Sequence, residues 1–133
     1  MDYAAERYFA NTFIKKDRRE RILFELTTPS RRYEGISRFC HGAEDLLDPA
    51  GILMQGEDLD RRPEFIRFVR QHGGNCTVLS PILSADGQTM PLEDALGAAF
   101  TGLDAFVIIG NSFAVVFGEP MKGGRGKFLL SEQ

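Results

Sequence analysis

The chain has no tryptophan, two cysteines and two histidines in 133 residues. Two cysteines cannot build the disulfide frameworks that hold small secreted domains together, so a reducing, cytoplasmic setting is expected. Cys40, His41, His72 and Cys76 match no familiar zinc spacing. Cys40 and His41 are adjacent, and neighbours on a helix project about 100° apart, a poor arrangement for sharing one ion or for forming a facing Cys–His pair. Neither metal nor cofactor is expected. The longest near-apolar stretch, 103–118, is broken by Gly110-Asn111-Ser112 and is too short to span a bilayer. Asp2 and Glu6 stand where a secretory leader needs positive charge, so no membrane contact is expected. There is no low-complexity tract or internal repeat, and no GxxxxGK[ST] or GxGxxG loop to cradle a phosphate.

What remains is ordinary in bulk. A hydrophobic fraction of 43% and a charged fraction of 26% place the chain among globular proteins, and its length suits one domain, 1–133. The charge is unevenly spread. Residues 1–41 carry nine Lys/Arg against six Asp/Glu, residues 42–120 four against twelve, and residues 121–133 three against one. Such asymmetry either marks an anion-binding surface or lets one part of the fold dock on another, and docking is the favoured reading.

The organising stretch is 104–118. Two apolar, β-branched and aromatic runs, Phe106–Ile109 and Phe113–Phe117, flank turn-forming residues, which is a hairpin signal. Neither run alternates with polar residues, so the hairpin is predicted to lie centrally, covered on both faces. Before it come a helix over 3–16 and a second over 17–27, with Asp17 and Glu20 as a capping box, although one continuous helix over 3–27 is nearly as consistent. A third helix is expected after Pro29, capped by Thr28, with Tyr33, Ile36, Cys40, Ala43 and Leu47 as its buried stripe. Gly35 and Gly42 share one side of it, which suggests a close helix neighbour or a less regular element. A strand at 52–54, a helix at 63–72, a strand at 76–83 cut short by Pro81, a helix from Pro91 and a last strand at 128–130 complete the chain. The fold class is therefore α/β: a helical part, 1–48, and a mixed sheet, 49–133, holding one parallel pair from the first crossover and the central hairpin. An α+β two-layer arrangement is the alternative.

For function, a non-enzymatic regulatory or adaptor domain that binds a protein partner or a second copy of itself is expected, with the acidic stretch from Glu44 to Asp60 as one candidate surface. The alternative is binding of an anion or nucleic acid through Arg18, Arg19, Arg21, Arg31 and Arg32 with Lys122, Arg125 and Lys127 of the glycine-rich loop. A third reading is a small hydrolase using Ser112 or a cysteine. Gly110-Asn111-Ser112 loosely resembles a nucleophile elbow, but a strand-like FAVVF follows where that motif requires a helix.

Overall fold

A computed structural model describes residues 2–101, 106–118 and 126–132. Helices α1 (Ala4–Phe13), α2 (Lys16–Thr27) and α3 (Arg32–Leu46) precede β1 (Ile52–Gln55), α4 (Pro63–Gln71), β2 (Asn75–Leu79), β3 (Thr89–Pro91), α5 (Leu92–Thr101), β4 (Phe106–Ile109), β5 (Phe113–Phe117) and β6 (Lys127–Ser131). The strands form one sheet in the order β1-β6-β5-β4-β2-β3, and every pairing is antiparallel.

The expected central hairpin is present: β4 and β5 pair from Phe106↔Phe117 to Ile109↔Ala114. It is dry on both faces, and all five residues of β5 are buried. Leu79, Val107, Ile109, Ala114, Val116, Phe128 and Leu130 pack with Phe9, Phe13, Ile22, Leu26, Ile36 and Phe39 of α1–α3. Their alternates, Val78, Ile108, Phe113, Val115, Phe117 and Leu129, pack with Phe65 of α4 and Leu92, Ala95 and Leu96 of α5. Alternation along a strand puts these two sets on opposite faces, so helices sandwich the sheet.

The parallel pair does not form. The helix between β1 and β2 carries the chain to the far half of the sheet, where β2 pairs with β3 and β4 while β1 pairs with β6 at the opposite edge. Sequence order alone could not reveal that β6 returns between β1 and β5. Both edges are blunted. β1 has a bulge, since Ile52 pairs with Leu130 but Met54 with the adjacent Leu129, and the intervening Leu53 is pushed outward. β3 is three residues long and ends in proline.

The N-terminal helices are two. Ile14 between them is extended and bridges to Leu47, while Lys15 N–H donates to Leu46 O and Asp48 N–H to Phe13 O. The break lies there and not within the charged run. The capping box is absent because Lys15 holds the N-cap position and Asp17 sits inside the first turn, where its charge suits the helix dipole. Thr28 ends α2 instead of starting α3, which begins at Arg32 after a turn.

Tyr33, expected inside, is 65% exposed, and Arg32 is buried in its place. The buried stripe of α3 runs through Ile36, Phe39, Ala43 and Leu46. The side chain of Cys40 lies outside what is described, as do Lys122 and Arg125. Gly35 marks a close helix crossing, because a Cβ there would lie 2.9 Å from Glu25 Cβ. Gly42 is instead a kink, with φ −161° and ψ 38°. Gly35→Ala is therefore expected to destabilise the fold by about 1–3 kcal/mol through overpacking. Gly42→Ala meets only Asp45 Oδ2 at 3.8 Å and is expected to stay within about 1 kcal/mol of the parent. Urea denaturation of the two variants checks the contrast; equal losses would contradict the crossing.

Candidate functional site: a buried arginine node and the clefts at the far end of the sheet

Arg32 begins α3 and points inward, 8% exposed. Its Nε and Nη2 donate to the two carboxylate oxygens of Asp86, at 2.6 and 2.9 Å. Nη1 donates to Glu6 Oε2 at 2.5 Å and to Leu26 O at 2.9 Å. The guanidinium thus joins α1, the last turn of α2, α3 and the loop between β2 and β3. Burial alone would lower its pKa, but the hydrogen bonds it donates to Asp86 and Glu6, with the charges of those carboxylates, more than reverse that, and the net shift is upward. Asp86 Oδ1 also accepts the Ser80 N–H at 3.2 Å, and Ser80 Oγ accepts the Ile82 N–H at 3.1 Å. The loop is braced from within, yet it holds Leu83 90% exposed at its tip.

The other described cations of the anion reading have partners within the fold. Arg19 closes the end of α1, donating to Ala10 O and Ile14 O, both at 3.1 Å. Arg18 lies 4.0 Å from Asp17, Arg21 3.9 Å from Glu25, and Arg31 3.4 Å from Glu34. These three arginine side chains are exposed, and the Arg18 and Arg31 pairs, exposed on both sides, are worth at most about 1 kcal/mol each. Lys127 bonds Asp60 Oδ1 at 3.1 Å and Glu57 O at 3.0 Å, while Gly126 N–H bonds Glu57 Oε1 at 2.9 Å. Here the acidic middle of the chain docks on its own last strand, as does Asp86 on Arg32. The charge asymmetry is consumed inside the fold at both places.

Ser112, His72 and Cys76 meet in one small cleft of about 160 Å³. No hydrogen bond joins them among the described residues. His72 Nδ1 donates to Phe68 O at 3.0 Å, and its ring stacks on Phe68 with centroids 3.9 Å apart. The Cys76 thiol is buried, which pushes its pKa up and away from thiolate. No group of three metal-ligating side chains gathers among the described residues. No described helix is long and apolar enough to cross a membrane. The Tyr8 hydroxyl is buried without a hydrogen bond among the described residues, and burial with the nearby Glu132 carboxylate raises its pKa.

Sequence reasoning missed the Arg32 node. The one signal available was an arginine one residue out of phase with the apolar stripe, which reads as surface charge unless its partners, 26 and 54 residues away, are known. Comparison with protein-family models, with curated proteins and with solved structures finds no match.

A second buried carboxylate sets the acid behaviour. Glu25 is 4% exposed and accepts two hydrogen bonds from Arg38, at 2.6 and 2.8 Å. That pairing outweighs burial and, with the charges of Arg38, Arg21 and Arg31, holds its carboxyl below the usual range. A carboxyl with a lowered folded pKa contributes stability above its unfolded pKa, about 4.3, and loses it as pH falls through the folded value. Urea unfolding is expected to show stability dropping below about pH 4–5, with Glu25→Gln less stable at neutral pH but flatter in acid. An unchanged acid slope in that variant would contradict the assignment.

Proposed function

We propose that this chain is a non-enzymatic domain that binds a protein partner through an apolar rim where α2 turns into α3. The supporting observation is the placement of four of the six large apolar side chains exposed among the described residues, the other two being Leu53 on β1 and Ile66 on α4. Phe24 is 58% exposed, Tyr33 65%, Ile82 39% and Leu83 90%. Each lies within four residues of a group held by the Arg32 guanidinium. Phe24 is two residues before Leu26, Tyr33 follows Arg32 itself, and Ile82 and Leu83 precede Asp86 by four and three. Single exposed apolar residues are commonplace, and the case for this region rests most on Leu83, 90% exposed on a braced loop. A loop already fixed loses little conformational entropy on docking, so its Leu83 suits an apolar pocket on a partner protein. The role is regulatory or adaptor-like, delivered by contact and not by chemistry.

The discriminating experiment is recovery of partners from the source cell with tagged wild-type chain and with Leu83→Asp, all proteins and nucleic acids being identified. A solvent-facing substitution of this kind is expected to change stability by no more than about 0.5 kcal/mol. Wild type is expected to retain a specific protein, or a second copy of itself by light scattering, and Leu83→Asp is expected to lose it. Equal recovery by both would contradict the rim, and recovery of nucleic acid alone would favour the anion reading.

A further inference from the structure

At the other end of β2 from the braced loop, two clefts on opposite faces of the sheet meet around its end at Asn75 and Asn111. The larger, about 390 Å³, is lined by Ala4, Ala5 and Tyr8 of α1, Asn75 and Thr77 of β2, and Ile109, Gly110 and Asn111 at the hairpin turn. The smaller, about 160 Å³, holds His72, Cys76, Ser112 and Phe113 and shares Asn75 and Asn111 with its neighbour. We infer that these conjoined clefts form a binding site for a neutral polyhydroxylated ligand, a free sugar or the sugar end of a glycan.

The lining chemistry points there. Among the described residues, neither cleft is lined by Asp, Glu, Lys or Arg, in a chain whose charged fraction is 26%. An anionic ligand would shed hydration there without meeting a counter-charge, and would lie near the Glu132 carboxylate beside Tyr8. What the clefts offer are groups that match hydroxyls, which donate and accept at once. The Asn75 and Asn111 carboxamides each present donors and an acceptor, and Thr77 and Ser112 present hydroxyls. His72 Nδ1 is taken up by a carbonyl, Phe68 O, that accepts only, which leaves Nε2 as the ring nitrogen free to meet a hydroxyl. The ring is fixed by its stack on Phe68 and by the edge-on Phe113, with centroids 5.9 Å apart. Ala4, Ala5 and Ile109 supply apolar surface for the C–H faces of a sugar. The larger cleft falls within the roughly 300–1,000 Å³ range of small-molecule sites. The argument is independent of the protein-binding rim, which lies past the opposite end of β2.

The test is amide NMR on the full chain, titrated with glucose, N-acetylglucosamine and a neutral disaccharide. Glucose 6-phosphate serves as the charged control and N-acetylglycinamide as a peptide-like one. At least one neutral sugar is expected to shift the amides of Thr77, Gly110 and Asn111, with glucose 6-phosphate about tenfold weaker. Preference for the disaccharide would identify a glycan end, and equal binding a free sugar. Asn111→Ala, a change at an exposed turn position, is expected to weaken binding about tenfold while leaving the spectrum folded. No movement of these amides with any neutral sugar at tens of millimolar would overturn the inference. So would equal binding of the phosphate, or binding of the amide alone.

Discussion

One buried guanidinium ties the loop between β2 and β3 to helices α1, α2 and α3, which pack together on one face of the sheet. Arg32 reaches a carboxylate on α1, a carbonyl at the end of α2 and a carboxylate in the β2–β3 loop. Taking such charges out of water costs several kcal/mol per ion, and only full pairing offsets it. Here four hydrogen bonds leave the guanidinium, from Nε, Nη1 and Nη2, and Asp86 is held by both of its oxygens. Removing one member would strand the others, at a cost of about 3–5 kcal/mol. A buried network of this kind adds less to net stability than an apolar core would, but it specifies geometry. What it specifies is the position of the β2–β3 loop, itself braced from within, relative to helices α1–α3.

The sheet plays the complementary part. β5, with every residue buried and a strand on each side, anchors the fold through apolar burial worth roughly 1.5–3 kcal/mol for each large side chain. Neither face of β5 meets water, so the exposed features of the sheet lie at its ends. At one end stands the braced loop with its apolar tip, and at the other the uncharged clefts beside the hairpin turn. The bulge in β1 and the brevity of β3 discourage association through the sheet edges, which leaves those ends and the outer helix faces as contact surfaces.

Much of this architecture was legible in the residues. The unbroken apolar runs around Gly110-Asn111-Ser112 announced a dry central hairpin, and Pro81 announced the early end of β2. The sheet order was not legible, because β6 pairs with β1 across more than seventy residues and no local pattern encodes that return. Arg32 and Tyr33 were read the wrong way round. Hydropathy assigns the tyrosine to the core and the arginine to water, and it is overruled when two distant carboxylates converge on the arginine. The anion reading suffered from the same blindness. Arg19 and Lys127 carry charge in the sequence, but in the fold they cap a helix and clamp a strand.

The most direct test of the Arg32 node is native-state hydrogen exchange of wild type and Arg32→Met. If the guanidinium braces the loop, the Ser80 and Ile82 amides lose protection in the variant far more than the amides of β4 and β5 do. Unchanged protection at Ser80 and Ile82, or a uniform loss across loop and sheet alike, would contradict the account.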